Sequence, residues 1–466
     1  MKEGGDNFGA GALARRPTSP DPSGRTVRAA RKASAEPLAP PEPLAPLYER
    51  LPRGPHQLGA DAVARNQRQR MYGAMIEAVA ANGYGRTSVK QIVTLAGVSR
   101  RAFYEQFANK QECFLATLDL VAARTLGQIA STYSSSDGPL ERRLGAAFDR
   151  FAEIVRANPK GSRVMLVDAP SVGPEGWERM TGTLAAFERR LLASFAEAPD
   201  AAPLPVPVAR AIVGGLRRVT FVRLSEGRAG ELPALAEHML SWTLVFKTRT
   251  PSPFAGRPRG VPLELGRSEQ SERDRILHSA LELAALEGYA NLMPMRIADE
   301  AGASIDTFFG LFDDIEACLL AAVERLAEQV RETVADPDLT GPQWPYAVQR
   351  SLDALLRYFA ARPANAQTIA TGVFAMGQRA VDLGAELARE VARGLTAGAP
   401  CAPRSELAEE GIEGAIWHTI YCQTAAGGTA GLPGLSDYLA YVVIAPYLGA
   451  EEAARLVGEV REVRAA

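Results

Sequence analysis

The sequence predicts an all-α protein made of two tandem units, each with a three-helix helix-turn-helix head followed by a larger helical domain. Three observations predict this fold. Apolar residues recur at helical spacing through most of the chain beyond residue 60. A helix-turn-helix pattern fills residues 87–110. A second copy of that pattern begins 205 residues later.

The overall composition is that of a globular protein, with 47% hydrophobic and 23% charged residues in a chain of 466. That length exceeds one ordinary domain, and roughly two to four are expected. The net charge of −2 excludes a chain that is basic throughout. Any binding of nucleic acid must therefore come from a local basic patch.

The cysteines and histidines give no sign of a disulfide framework or a metal site. Four cysteines form no CxxC pair and four histidines are scattered, so we expect a reducing cytoplasm, no metal and no cofactor. The sequence shows no nucleophile–base constellation and no phosphate-binding loop, so we do not expect an enzyme. No apolar run reaches the ~18–20 residues that span a bilayer, and the N-terminus lacks the core of a secretory signal.

Residues 1–55 form a tail rich in proline and arginine. Ten prolines lie between Pro17 and Pro55 and periodic apolar spacing is almost absent, so we expect disorder. Residues 10–35 carry six basic side chains against one acidic, a net charge of +5. Two interpretations remain open: a solvated tail, or a flexible arm that touches nucleic-acid phosphate or a minor groove.

The first head, residues 56–120, opens with an amphipathic helix predicted over 65–82. A second helix ends at Gly97, which can adopt the positive φ that a sharp helix-to-helix turn requires. Ser99 is then a good N-cap for the third helix. In that helix Phe103 and Phe107 share one face, which we expect to be buried.

The third helix begins with two arginines, and a buried aromatic face behind a basic leading edge is typical of a recognition helix in the major groove. Residues 65–120 resemble the DNA-binding domain of the TetR family of transcriptional regulators. The residues that carry this resemblance at fixed spacing are Gly83-Tyr84, Thr87-Ser88, Ile92, Ala96-Gly97-Val98-Ser99, Tyr104, Phe107 and Asn109-Lys110.

The resemblance implies that side chains of the head contact double-stranded DNA. Arg100 and Arg101 are the candidates for base edges, because arginine pairs bidentately with guanine. Lys110, at a helix N-terminus, suits a phosphate. The full predicted set is Thr87, Ser88, Lys90, Ser99, Arg100, Arg101, Tyr104 and Lys110.

Residues 121–250 are predicted to form a helical regulatory and dimerisation domain, followed by a linker rich in proline and glycine at 251–270. The amphipathic stretches are 140–157, 182–197, 208–225 and 233–248, and the first two are separated by breaks at 158–161 and 170–176.

The resemblance implies a ligand pocket and pairing through the last two helices. Aromatic residues and methionines at helical spacing are more often core than ligand wall. The candidate pocket residues are Trp177, Phe187, Phe221 and Trp242 in the first unit and Phe374, Met376, Trp417, His418, Tyr421 and Cys422 in the second.

The second unit repeats the pattern of the first. At an offset of 205 residues, ten of 33 positions between 83 and 115 are identical, mostly in the turn and on the buried face. We therefore expect a second head at 271–325 that keeps the fold, and a second helical domain at 326–466 whose last two helices lie near 407–425 and 435–448. Such a long period indicates a duplicated domain.

The second head differs where DNA would lie. Residues 65–125 carry a net charge of +5, whereas residues 270–330 carry −8. Because phosphate contacts supply most non-specific affinity, the second head is predicted to have lost DNA binding. The replacements are Leu292-Met293 for Thr87-Ser88, Met295 for Lys90, Ile305-Asp306 for Arg100-Arg101, Phe309 for Tyr104 and Asp314-Ile315 for Asn109-Lys110.

The sequence thus predicts a DNA-binding transcriptional regulator of the bacterial cytoplasm and nucleoid, a repressor that a small hydrophobic ligand releases. The alternative is a DNA-bound interaction or scaffold protein whose acidic second unit docks a protein partner without sensing a ligand. We expect the two units to pair as an intramolecular pseudo-dimer with one competent head. Such a chain binds one half-site, or two chains form a homodimer on an inverted repeat.

Overall fold

The structure is a computed structural model that describes residues 60–199, 201–247 and 271–465. Within these ranges all regular structure is helical, which confirms the all-α prediction. The predicted tail and the linker over 251–270 lie outside them.

The helices of the first half are α1 Ala60–Arg86, α2 Val89–Ala96, α3 Arg100–Tyr104, α4 Lys110–Ser135, α5 Leu140–Ala157, α6 Pro159–Arg163, α7 Pro174–Glu197, α8 Val206–Ser225 and α9 Leu232–Leu244. Those of the second half are α10 Glu272–Glu287, α11 Pro294–Ala301, α12 Ile305–Leu311, α13 Ile315–Val334, α14 Trp344–Ala361, α15 Pro363–Ala370, α16 Gln378–Thr396, α17 Ala408–Ala425, α18 Ser436–Leu448 and α19 Ala450–Ala465.

The first head is a small core shared by α1 to α4. Met71 and Met75 of α1, Ile92 of α2, Phe103 of α3 and Phe114 of α4 are all fully buried in one cluster. Short helices such as α2 and α3 are marginal on their own. Their apolar faces must be covered together, and α1 and α4 cover them.

The first helical domain agrees with the predicted stretches except at two breaks. The break predicted at 158–161 contains the short helix α6, because Asn158 accepts a hydrogen bond from the Gly161 N–H at 3.1 Å and Pro159 occupies the first helical position. Helix α7 begins at Pro174, eight residues before the predicted start, again with a proline at its first position. In both places the proline starts a helix and does not end one.

The second half begins with helices α10 to α13 in the same order as α1 to α4. Gly302 ends α11 with φ +63°, as Gly97 ends α2 with φ +61°. The rings of Phe308 and Phe312 lie 5.6 Å apart, the same separation as those of Phe103 and Phe107. The sequence did not predict the last helix, α19, which follows the two terminal helices expected in this half.

Helices α8 and α17 make the most extensive contact between the two halves. Arg223, late in α8, pairs with Glu410, early in α17. Gly214, earlier in α8, lies against His418, later in α17. Because rising residue numbers on one helix meet falling numbers on the other, the two helices run antiparallel.

Helix α4 is the one helix among the described residues that is long and apolar enough to cross a membrane by length and composition. No apolar run of this length is expected from the sequence. Eight of its residues, including Phe114 and Leu118, are buried against the head and the helical domain. A core helix of a globular protein passes the same test, so its composition is explained by this packing.

Candidate nucleic-acid interface

The turn between α2 and α3 is held by side-chain caps on both helices. The Ser88 hydroxyl accepts from the Gln91 N–H, and the Gln91 side-chain oxygen accepts from the Ser88 N–H at 2.8 Å, a reciprocal capping box. Gly97 takes the left-handed conformation that closes the turn. Ser99 then caps α3, accepting from the Ala102 N–H at 3.0 Å. These local bonds set the angle between the two helices.

The exposed side of α2 and α3 carries most of the predicted contact residues. Phe103 and Phe107 hold the opposite side of α3 in the core. Arg101 is 89% exposed and its Nε lies 2.8 Å from a Glu105 carboxylate oxygen. An exposed ion pair of this kind is weak, so the guanidinium can exchange Glu105 for a phosphate or a base. The predicted contact residues that are exposed are Ser88, Lys90, Ser99, Arg100, Arg101 and Tyr104.

Two predicted contact residues face the protein. Thr87 is 3% exposed, and its hydroxyl donates to the Gly83 carbonyl oxygen at 2.8 Å. The Lys110 ammonium donates to the Tyr84 carbonyl oxygen at 2.9 Å and lies 4.1 Å from the centroid of that tyrosine ring. Partial burial lowers the pKa of Lys110. In this conformation both groups brace the junction of α1 with the rest of the head.

Residues 74–117, from within α1 into α4, match the bacterial regulatory proteins of the tetR family. The chain carries a TetR-family helix-turn-helix domain. Such a domain is the DNA-binding part of a transcription regulator, so the capped and cationic surface just described is the surface to consider for DNA. No curated protein matches the chain.

Three solved structures are similar to part of the chain. The fatty acid degradation regulator FadR from Bacillus halodurans is 18% identical, over 41% of this chain and 97% of its own, with a TM-score of 0.35. FadR from Bacillus subtilis, in complex with stearoyl-CoA, is 16% identical over 37% and 95%, with a TM-score of 0.35. A TetR family transcription regulator from Marinobacter aquaeolei VT8 is 20% identical over 38% and 94%, with a TM-score of 0.29.

The second half has a helix-to-helix turn like that at Gly97, with Gly302 at φ +63°, but a different surface. Met293 precedes α11 without a side-chain cap, whereas Ser88 caps α2. Met295 is 63% exposed and Phe309 is 55% exposed, at the positions of Lys90 and Tyr104. The large apolar residues exposed on this head are Leu286, Met293, Met295, Phe309 and Leu311. A surface that is apolar and acidic does not suit phosphate.

A cavity of about 230 Å³ opens in the helical domain behind the TetR-type head. Its wall is mostly apolar, with residues from α4, α5, α7, α8 and α9, and Phe187 is the one predicted pocket residue that contributes to it. Arg217 also lies in the wall. Its Nε is buried without a hydrogen-bond partner among the described residues, and burial lowers its pKa to about 10. The other lining residues include Leu144, Phe148, Phe151, Met165, Leu184, Leu191 and Met239.

Three further candidate pocket residues meet one another between the two halves. The Trp177 ring stacks on Tyr421 with centroids 4.5 Å apart. It also meets the edge of Phe374 at 5.2 Å. These aromatic residues come from both halves, and their rings pack on one another away from the cavity wall. The sequence suggested each residue separately but could not bring the three together.

Three more candidates are packing residues of α8, α9 and α17. Trp242 is fully buried under α17, where Gly411 approaches its ring closely. Trp417 packs edge-on against Phe359, with centroids 6.1 Å apart. Phe221 lies beside the guanidinium groups of Arg217 and Arg218.

Glu188, His418 and Cys422 form a cluster that the sequence does not predict. Glu188 belongs to α7, whereas His418 and Cys422 belong to α17. Their ligand atoms lie within 4.8 Å of one another. Burial lowers the pKa of His418 and raises that of Cys422 to about 12. The four-residue spacing of the histidine and cysteine was a usable signal, but nothing in the sequence linked them to Glu188.

Proposed function

We propose that this chain is a transcriptional repressor that binds a specific operator through the exposed side of α2 and α3. One observation carries the proposal: Lys90, Arg100 and Arg101 are exposed on a head whose turn is rigidly capped. In that position the arginines reach base edges in the major groove while Lys90 meets a phosphate. Action on DNA places the protein at the nucleoid, in the cytoplasm of a bacterium.

The chain is a tandem of two TetR-like units in which one head reads DNA. The equal turn geometry at Gly97 and Gly302 supports a common origin, and the apolar surface at Met295 and Phe309 supports loss of DNA contact by the second head. The antiparallel pairing of α8 with α17 is the intramolecular pseudo-dimer. An operator with two half-sites then requires two chains, one for each basic head.

The effector that fits the cavity is an apolar chain ending in an anionic group. Apolar side chains of α5 and α7 favour a hydrocarbon, while Arg217 offers a buried cation without a hydrogen-bond partner at its Nε. A carboxylate would supply that partner, and a charge-assisted bond in a low-dielectric site is strong. Occupancy of the cavity would change the packing of α4, which joins the cavity to the head.

The decisive experiment is a gel shift and footprint of the full-length protein on DNA upstream of its own gene, with and without dodecanoate. We expect a protected inverted repeat that dodecanoate releases. Dodecanol is the matched control, since it keeps the chain and removes the charge. Arg217→Met should raise the dodecanoate concentration needed for release about tenfold or more.

Each outcome of this experiment bears on a different part of the proposal. Failure to bind any DNA at low salt would refute the DNA-binding function. Equal release by dodecanol and dodecanoate would refute the anionic group, and no release by either would refute this effector class. A single protected half-site would mean that one chain acts alone.

A second candidate function is supported by the exposed apolar residues of the second head. Met293, Met295 and Phe309 lie in a region of net charge −8, and such a surface suits a basic amphipathic helix of a protein partner. The chain would then be a DNA-bound scaffold. A Met295→Lys, Phe309→Lys variant that loses target regulation in cells but retains operator affinity would favour it, and unchanged regulation would count against it.

A further inference from the structure

Three different metal-ligating side chains meet between the two halves of the chain. His418 and Cys422 are four residues apart and share one face of α17. Glu188 of α7 comes from the other half. We propose that these three side chains form a binding site for a transition-metal ion, best suited to Zn²⁺, that ties α7 to α17.

The distances within the cluster are close to those of a tetrahedral site. A zinc ion about 2.3 Å from sulfur and about 2.0 Å from nitrogen separates these two atoms by about 3.5 Å. The Cys422 Sγ lies 3.5 Å from the His418 Nε2 and 3.7 Å from the Nδ1, so a side chain must rotate to bring the sulfur to the lone-pair side of Nε2. The same nitrogen lies 3.5 Å from the Glu188 Oε1, where a tetrahedral site requires about 3.4 Å. The thiol and carboxylate, within 4.8 Å, must approach by about 1 Å, which is a side-chain rotation.

The two carboxylate oxygens of Glu188 face different neighbours. Oε1 faces His418, whereas Oε2 lies 3.6 Å from the Arg210 Nε. Arg210 beside Oε2 therefore helps to keep Oε1 facing the cluster. The hydrogen-bond partners of metal-binding side chains orient those side chains in the same way. The other groups that face the cluster are Arg217 of α8 and Tyr421 of α17. A thiolate and a carboxylate together neutralise a divalent ion, so the occupied site is uncharged, one unit more positive than the empty cluster with its carboxylate and neutral thiol.

The ligand types select the class of metal. One sulfur, one imidazole nitrogen and one carboxylate oxygen suit Zn²⁺ or Co²⁺, whereas Mg²⁺ and Ca²⁺ prefer oxygen alone. Glu188 and His418 are buried and so are held in place. Cys422 is partly exposed and gives the ion a route inward. On binding, the Cys422 thiol gives its proton to solvent and the thiolate bonds the metal, with water as a fourth ligand.

Cobalt substitution tests this site in the full-length protein. After dialysis against a chelator, Co²⁺ is titrated and the near-ultraviolet and visible spectra are recorded. We expect a thiolate-to-cobalt charge-transfer band and the intense visible bands of a tetrahedral ion, saturating at one ion per chain. Cys422→Ser should abolish the charge-transfer band, whereas Cys401→Ser, the exposed-cysteine control, should retain it.

A second measurement separates loss of the site from loss of the fold. Zn²⁺ should raise the Tm of the wild type and of Cys401→Ser by about 2 °C or more, and leave Cys422→Ser and Glu188→Gln unchanged. Circular dichroism without metal should be the same for all four proteins. The proposal is overturned if no charge-transfer band forms in the folded wild type, or if the band and the Tm shift persist in Cys422→Ser. The cluster would then be a hydrogen-bonded contact without metal.

Discussion

A Cβ placed on Gly214 would lie 2.7 Å from the carbonyl oxygen of Gly414, so α8 and α17 touch backbone to backbone. The contact continues one step along the helices, where a Cβ on Gly215 would lie 2.8 Å from the Gly411 carbonyl oxygen. Any side chain at these positions would force the helices apart. The close approach of α8 to α17 therefore depends on glycine at these positions.

Gly414→Ala should destabilise the protein by about 1–3 kcal/mol, because the new methyl group must displace the backbone of Gly214 or the Arg218 side chain. Urea unfolding measures the change. Gly394→Ala in α16 is the matched control. A Cβ there meets nothing within 4 Å, so the usual helical preference for alanine should leave stability equal or higher. Equal midpoints for the two variants would contradict the close contact.

Arg101→Ala should weaken operator binding roughly 10- to 100-fold, as expected for loss of one base-reading arginine. Arg156→Ala is the control, since Arg156 is also an exposed helical arginine paired with a glutamate of its own helix. Fluorescence anisotropy with the operator and with a scrambled duplex measures both affinity and specificity. If the two variants bind equally well, Arg101 does not read DNA.

Gly97→Ala and Gly302→Ala separate the roles of the two heads. Both glycines adopt positive φ, so alanine should cost about 1–2 kcal/mol of stability in each case. We expect only Gly97→Ala to weaken operator binding, because it alone tilts α3. Gly182→Ala, in a helix with open space around it, is the neutral control. A loss of operator affinity in Gly302→Ala would mean that the second head takes part in DNA binding.

Arg218→Met should destabilise the protein in a manner that depends on pH. Arg218 Nε lies 2.7 Å from the carboxylate of Glu413, which is 6% exposed and whose pKa is raised by burial and lowered by this arginine. Without Arg218 the pKa of Glu413 rises further in the folded state alone. The folded variant then holds a proton that the unfolded chain releases, so its stability falls as pH rises above the ordinary glutamate range.

At neutral pH or above we expect a loss of about 3–5 kcal/mol for Arg218→Met, and a smaller loss near pH 5. Urea unfolding across pH measures it. The double variant Arg218→Met, Glu413→Gln removes the lone charge and should recover most of the stability at high pH. A loss that is the same at every pH would show that Glu413 is not left as an unpaired buried charge.

The sequence was most informative where structure is decided by neighbours in the chain. Local rules identify Gly97 as the turn residue and Ser99 as the cap of α3, and each occupies the position expected of it. The breaks are predicted less well, because Pro159 and Pro174 suggest helix ends, although proline is equally suited to a first helical position.

Relations between distant residues were not predictable from the sequence. The sequence offers Trp177 and Tyr421 as separate pocket candidates that could also be core, whereas in the structure they stack on each other across the two halves. Glu188 drew no attention because its partners lie more than 200 positions away. Helical spacing shows which side of a helix is buried but not which helix covers it.

The ion pairs between α8 and α17 have one polarity: the cations Arg218 and Arg223 are on α8, and the anions Glu413 and Glu410 are on α17. Two copies of α8 placed together would oppose arginine with arginine, and two copies of α17 would oppose glutamate with glutamate. Like charges discourage such pairings, so each half prefers the other half over its own kind. Covalent linkage also makes the pairing independent of protein concentration. In the proposed tandem of two units, this interface does not need the self-complementarity that a symmetric homodimer requires.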